Sequence, residues 1–174
     1  MDKSKNIFYR LRPFLLSLTI IVADQLSKAW VIKNIPLNTV YKSFGKDLLM
    51  IIHVRNTGAA FSLGASGSAF TRLLFFIILP LAVMGFIAWV IYSEKGILNR
   101  CQKYLASGIL GGGIGTLIDR IFRFKDGVVD FISVKFFGIL GMERWPTFNV
   151  SDSCVVIFVI LFALSVLFEK GDKK

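Results

Sequence analysis

The chain has 174 residues, 55% of them hydrophobic and 18% charged, with a mean hydropathy of +0.66. A soluble domain of this length contains fewer apolar and more charged residues, so the composition excludes that class and indicates one membrane-embedded domain over residues 1–174. The net charge of +10 comes from short basic clusters beside apolar runs. Such clusters suit the headgroups of anionic membrane lipids and argue against nucleic acid as a partner.

Four apolar segments have the length of transmembrane helices, because about 20 residues cover the roughly 30 Å hydrocarbon core. The first follows a basic N-terminus but shows no small-residue cleavage site, so we interpret it as a retained span and not as a signal peptide. Pro80 is predicted to kink the second. The predicted spans cover about residues 14–32, 73–92, 104–122 and 150–168.

Ionisable residues occur inside the first and third predicted spans, where they are costly and usually have a role. Asp24 and Lys28 are four residues apart, which places them on one helical face and predicts an ion pair that faces other helices, either structural or functional. Asp119 and Arg120 end the third span and are candidates for positioning a polar substrate. The alternative is an arginine that only extends to the membrane interface.

The third span is also rich in glycine, and we predict that these residues let neighbouring helices approach closely. Two pairs have the small-xxx-small spacing: Gly108/Gly112 and Gly111/Gly115. Between the first two spans, residues 48–55 are rich in β-branched and apolar side chains and predict a strand. Residues 64–68 consist of Gly, Ala and Ser, which is typical of a mobile flap, a short surface helix or a plain loop.

Two carboxylates lie on the connection between the third and fourth spans. Asp130 follows a short hydrophobic segment, and Asp152 opens the last apolar run. Carboxylates at the margin of the lipid are costly, and two that meet can share a proton and activate water. Because Asp is a favoured N-cap, the alternative is that Asp152 only caps a helix and that Asp130 lies in a solvated turn.

The distribution of basic residues predicts the orientation in the membrane. A four-span protein has both termini on one side, and the termini together with the 93–103 loop hold ten Lys and Arg residues in short segments. Residues 33–72 and 120–144 also hold ten, spread over more than twice the length. The positive-inside rule therefore predicts cytoplasmic termini and places Asp130 and Asp152 at the outer face.

The two cysteines and the single histidine show no pattern of a disulfide or zinc site. Cys101 and Cys154 are predicted near opposite faces of the bilayer, roughly 30 Å apart. A disulfide needs Cα atoms about 5.5 Å apart, so we predict free thiols. His53 belongs to no Cys/His cluster in the sequence.

Five motifs occur in an order that resembles the bacterial lipoprotein signal peptidase family, also called signal peptidase II. The motifs are Asp24-Gln25-Leu26-Ser27-Lys28, Asn56-Thr57-Gly58-Ala59-Ala60-Phe61, Gly115-Thr116-Leu117-Ile118-Asp119-Arg120, Val128-Val129-Asp130-Phe131 and Phe148-Asn149-Val150-Ser151-Asp152. Each motif is weak alone, but five in order among four predicted spans are specific. The resemblance covers about residues 14–168.

The resemblance implies an intramembrane aspartic protease of the bacterial cytoplasmic membrane. Such an enzyme cleaves the signal peptide from prolipoproteins, before a cysteine that already carries diacylglycerol. The implied fold is a four-transmembrane-helix bundle with a small extracytoplasmic sheet and a short lid-like helix, which fits the strand at 48–55 and the flexible residues 62–69. We expect a monomer that needs neither metal nor cofactor and acts on lipidated prolipoproteins.

The resemblance also implies roles for individual residues. Asp130 and Asp152 match the catalytic pair of the family. Residues that match polar positions lining the site are Asn56, Arg120 and Asn149, and residues that match further polar positions are Asp24, Lys28 and Asp119. One position departs from the family, which usually has Asn where this chain has Thr116, and threonine lacks the two amide donors.

In such a pair, the ionised carboxyl takes a proton from water while the protonated one polarises the carbonyl. We expect Asp152, near a helix N-terminus, to hold the charge more readily than Asp130.

A rival hypothesis is a small proton-coupled transporter, although four spans without an inverted repeat argue against it. A third is a serine/lysine protease that uses Ser27 or Ser62 with Lys28.

Overall fold

The computed structural model describes residues 7–58 and 69–171, and in this part of the chain four helices are long and apolar enough to cross a membrane. The helices are α1 (Ile7–Asn34), α2 (Ala69–Leu73), α3 (Leu79–Tyr92), α4 (Arg100–Phe122) and α5 (Val150–Gly171). These four helices lie at the positions of the four predicted spans. The first helix begins at Ile7, earlier than the predicted start at 14, because arginines at a helix end can extend to the headgroup region.

The second span is not a regular α-helix throughout. It consists of α2, a π-helical segment at Leu74–Ile78 and then α3, with Pro80 in the first turn of α3. Proline has no N–H to donate, and its ring clashes with the carbonyl four residues earlier, here that of Phe76. A π-helical stretch thus precedes Pro80, the residue at which the sequence predicts a kink.

Helix α4 lies at the centre of the bundle and packs against α1, α3 and α5. Its glycines are the contact points: a Cβ on Gly112 would lie 2.6 Å from the Ser151 carbonyl oxygen, and one on Gly111 would lie 2.9 Å from the Ser17 backbone. A Cβ on Gly108 would lie 2.2 Å from the ring of Phe158. The predicted packing role is confirmed, because any side chain here would push the helices apart.

A three-stranded antiparallel sheet lies at one end of the bundle, in the order β1-β2-β3. The strands are β1 (Val40–Phe44), β2 (Leu49–Asn56) and β3 (Val128–Val134). The strand predicted at 48–55 is confirmed as β2. Strand β3 corrects the alternative of a solvated turn at Asp130, because this residue lies within a buried strand opposite Val54. The proposed lid at 62–69 lies outside the described residues, except for Ala69 at the start of α2.

The chain after β3 returns to that strand before the last helix begins. The backbone N–H groups of Phe131 and Ile132 donate to the carbonyl oxygen of Phe148, at 3.0 and 2.8 Å. The first residues of α5 are thereby fixed beside the middle of β3. This return brings Asp152 of α5 towards Asp130 of β3.

Candidate active site

Asp130 is buried in β3 and is held by two amide side chains. Its side chain is only 2% exposed, and Asn149 Nδ2 donates to Oδ1 at 2.7 Å while Asn56 Nδ2 donates to Oδ2 at 3.1 Å. Asn56 ends β2, the strand paired with β3, and its Oδ1 accepts from Gly58 N at 3.0 Å. Each carboxyl oxygen of Asp130 therefore has a fixed donor, which holds the side chain in one orientation.

Asn149 connects Asp130 with Asp152 through a capping box. Helix α5 begins at Val150, so Asn149 is the N-cap and Asp152 is the third helical residue. The backbone N–H of Asp152 donates to Asn149 Oδ1 at 3.0 Å, and the backbone N–H of Asn149 donates to Asp152 Oδ2 at 3.2 Å. One asparagine side chain thus caps the helix through its oxygen and holds Asp130 through its nitrogen.

The electrostatic environment of Asp130 favours its protonated form. Burial, and next the negative charge of Asp152, raise the pKa of Asp130 from 3.8 to about 7, although the hydrogen bonds from Asn56 and Asn149 act in the opposite direction. A carboxyl group with a pKa near neutrality can both hold and release a proton at physiological pH. This property is what acid–base chemistry by a pair of carboxyl groups requires.

Arg120 fixes the backbone that leads out of β2. Its guanidinium donates to the carbonyl oxygen of Asn56 at 3.2 Å and to that of Gly58, and it lies over the ring of Phe76 at 4.9 Å from the centroid. The side chain therefore connects α4 with β2 and with the π-helical part of the second span. It also lines the cavity described next.

A cavity of about 500 Å³ lies beside the two aspartates, between the second span, α4 and α5. Its polar lining includes Asp130, Asp152, Asn56, Arg120 and Thr116. Its apolar lining comprises Phe75, Phe76, Pro80, Gly113, Leu117, Val128, Trp145, Pro146, Phe148, Val155 and Val156, with Thr147 completing the wall. An apolar cleft with a few convergent polar groups is typical of a binding site. Thr116, the departure from the family pattern, faces this cleft.

The second group of site residues predicted from the sequence forms a buried ion network. Lys28 Nζ lies 2.7 Å from Asp24 Oδ2 and 3.0 Å from Asp119 Oδ2, and all three side chains are 0% exposed. Arg123 also pairs with Asp119, so two cations balance two carboxylates. The predicted Asp24–Lys28 ion pair is confirmed. Asp119 is fully enclosed in this network and is not among the residues lining the cavity.

The ion network is attached to the backbone directly before each aspartate of the site. The N–H of Ser151, which precedes Asp152, donates to Asp24 Oδ1 at 3.0 Å. The N–H of Val129, which precedes Asp130, donates to Asp119 Oδ2 at 3.2 Å. A single buried cluster therefore fixes β3 and the start of α5 relative to α1 and α4.

Some residues of this arrangement were not predicted from the sequence. The i, i+4 spacing of Asp119 and Arg123 on α4 is a signal that could have identified Arg123 as a member of the network. The aromatic wall of Phe75 and Phe76 has no such signal, because apolar residues of a span look alike in sequence.

Within residues 7–58 and 69–171, no group of three or more His, Cys, Asp or Glu residues is arranged to hold a metal ion, and Cys101 and Cys154 are free thiols as predicted.

Comparisons with known proteins agree with this architecture. The profile of a family described as Signal peptidase (SPase) II matches residues 16–168. A lipoprotein signal peptidase of Borrelia hermsii is 48% identical over 152 residues, 87% of each chain. One of Treponema denticola is 46% identical over 174 residues, 100% of this chain and 97% of that protein. A solved bacterial membrane enzyme with 24% identity has the same fold, with a TM-score of 0.78 over 94% of this chain and 92% of that chain.

Proposed function

Because the chain belongs to the signal peptidase II family, we propose that it removes the signal peptide from prolipoproteins as an aspartic endopeptidase. Asp130 and Asp152 are the catalytic pair in this proposal. The observation that carries it is the position of Asn149, whose side chain contacts both aspartates at the wall of one cavity. Neighbouring carboxyl groups that share a proton are the known means by which aspartic proteases activate water.

The proposed chemistry divides the acid and base roles between the two carboxyl groups. Asp130 carries the shared proton, since its pKa is raised to about 7, and polarises the scissile carbonyl through a hydrogen bond. Asp152 accepts a proton from water while the water oxygen attacks the carbonyl carbon. When the tetrahedral intermediate collapses, the proton on Asp152 passes to the leaving amine and the C–N bond breaks. Asn56 and Asn149 keep Asp130 oriented throughout.

The cavity is suited to a substrate that lies among the membrane spans. Its walls come from three membrane-spanning segments and are mainly apolar, with Phe75 on one side and Val156 on the other. A hydrophobic signal peptide and the acyl chains of a lipidated cysteine fit such walls. We therefore propose the diacylglyceryl-modified prolipoprotein as the substrate, cleaved at the outer face of the bacterial cytoplasmic membrane by a monomer whose termini are cytoplasmic.

The contacts of Lys28 and Ser27 favour a structural role for the buried ion network over the two rival hypotheses, a serine/lysine protease and a transporter. Lys28 Nζ lies between two carboxylates, and Ser27 Oγ donates to the carbonyl oxygen of Asp24 at 2.8 Å. A nucleophilic serine would instead have to donate its proton to the lysine nitrogen. Ser62 lies outside the described residues. Family membership favours a protease over a transporter.

The test is cleavage of a purified, diacylglyceryl-modified precursor by the parent protein and by Asp130→Asn and Asp152→Asn. We expect both variants to fold and to lose nearly all activity, because an amide cannot take up a proton at neutral pH. A precursor without diacylglycerol should be cut poorly or not at all by the parent. Near-parent cleavage by either folded variant would contradict the aspartyl mechanism, and equal cleavage of both precursors would remove the lipid from substrate recognition.

A further inference from the structure

A second cavity lies at the end of the bundle opposite to the aspartate pair. It has a volume of about 210 Å³ and is enclosed by the start of α1, the connection between α3 and α4, and the first turns of α4. Its lining residues are Tyr9, Arg10, Pro13, Glu94, Gly96, Arg100, Lys103 and Tyr104. No part of the proposed proteolysis uses this cavity, so its composition needs a separate explanation.

The charge of this cavity is positive. Among the lining residues in the described part of the chain, three cations face one carboxylate, Glu94, which pairs with Arg10. Lys103 Nζ donates to the carbonyl oxygen of Ser93 at 2.8 Å, and an ammonium group carries three donors, so this bond leaves capacity for an anionic ligand. Without a ligand, two positive charges remain uncompensated by the carboxylate in the lining.

The side chains around the cavity are held in place by contacts with aromatic rings. The guanidinium carbon of Arg100 lies 5.6 Å from the centroid of the Tyr9 ring, and that of Arg10 lies 5.4 Å from the Tyr92 ring. These contacts join α1 to α4 and to the end of α3. The cationic donors are therefore supplied by two membrane-spanning segments that converge, α1 and α4, and not by a mobile lysine on the surface.

We propose that this cavity binds a phosphate group, carried by an anionic phospholipid headgroup or by free phosphate. Its position at the ends of the spans is the level at which lipid phosphates lie, and basic pockets between transmembrane helices are known to bind such headgroups. Tyr9 and Tyr104 are residue types enriched at this level of the membrane. The volume accommodates a headgroup but leaves the acyl chains outside, against the exposed surface of the spans.

Binding of this kind would connect α1 with the first turns of α4. A ligand that binds only the folded state stabilises that state in proportion to its occupancy. An anionic headgroup would also offset the repulsion between Arg100 and Lys103. The ligand would thus contribute to bundle stability at the end that lacks the buried ion network.

The test compares Lys103→Gln with the matched control Lys95→Gln. Lys95 lies in the connection between α3 and α4 that borders the cavity, but it is exposed, lies over the Trp89 ring and is not part of the cavity lining. The purified full chain is presented with dioleoyl phosphatidylglycerol, with dioleoyl phosphatidylcholine or with inorganic phosphate. Native mass spectrometry measures the bound lipid, and thermal unfolding measures protection by each ligand.

We expect the parent and Lys95→Gln to retain the anionic lipid in preference to phosphatidylcholine, and Lys103→Gln to bind it about fivefold more weakly, since one lysine contributes about 1 kcal/mol. Protection by the lipid alone would assign the headgroup as the ligand, and protection by inorganic phosphate that Lys103→Gln removes would assign the free anion. Equal losses in the two variants, or no preference for the anionic lipid, would overturn the proposal. Arg100→Gln provides the same comparison if Lys103→Gln does not fold.

Discussion

Replacing Asp130 by asparagine should change the pH dependence of stability as well as abolish cleavage. The parent carboxyl is 2% exposed and accepts hydrogen bonds from Asn56 and Asn149. Asparagine has the same shape but does not titrate, and its amide nitrogen would face one of these two donors. That mismatch costs about 1–3 kcal/mol at every pH, because it does not depend on protonation. The informative quantity is therefore the slope with pH and not the absolute stability.

The sign of this slope follows from the raised pKa of Asp130. The pKa is about 7 in the folded protein against 3.8 for the ordinary group, so the folded state binds the proton more tightly than the unfolded chain does. The carboxyl therefore lowers the free energy of unfolding progressively as pH rises from about 4 to 7, and the full cost is present above pH 7. At about 1.4 kcal/mol per pKa unit, the total is at most about 4 kcal/mol.

The assay is thermal unfolding of the purified parent and variants in one detergent between pH 4 and pH 8. The difference in unfolding free energy, Asp130→Asn minus parent, should rise with pH by up to about 4 kcal/mol. Asp126→Asn is the matched control, because it removes an exposed carboxylate from the same connection. A difference that stays constant or falls with increasing pH would refute the raised pKa of Asp130 and, with it, the role of this residue as the holder of the shared proton.

Three further variants test other parts of the molecule. Lys28→Met should lose at least about 3 kcal/mol of stability, measured as yield and thermal unfolding, because it leaves two buried carboxylates without their shared cation. Cys101, which is exposed, should resist a membrane-impermeant thiol reagent in intact cells carrying Cys154→Ala; strong labelling would invert the proposed orientation. Thr116→Asn should fold and cleave like the parent, because both residues are short and polar, and loss of folded protein would show that the position is tightly packed.

The sequence predicted those features that depend on local spacing. Four apolar runs of suitable length identified the spans, and the four-residue interval between Asp24 and Lys28 identified their ion pair. The glycine pairs of α4 likewise indicated close packing, because their spacing places them on defined helical faces. In each case the information lies within one element, where helical geometry fixes which residues are neighbours.

Features that depend on contacts between distant segments were not visible in the same way. The sequence does not identify strand β3 within the connection between the third and fourth spans, because five of its seven residues are buried and its polar and apolar side chains do not alternate. The attachment of Asp119 to Val129 N, and of Asp24 to Ser151 N, requires the register of β3 and the docking of α5. The five motifs in family order indicated that these distant segments contact one another. The spacing of residues within each segment gave no such indication.

The two interpretations of Asp152 considered from the sequence are compatible in the structure. Its Oδ2 accepts the Asn149 N–H in the capping box, while the residue also lines the cavity that contains Asp130. Asparagine at position 152 retains an acceptor oxygen for that N–H, so an Asn variant preserves the cap and removes only the capacity to exchange a proton. Alanine would lose this acceptor and with it the reciprocal half of the capping box, at a cost of about 1 kcal/mol for the hydrogen bond. Inactivity of Asp152→Asn can therefore be attributed to lost proton transfer, whereas inactivity of Asp152→Ala would combine that loss with a displaced start of α5.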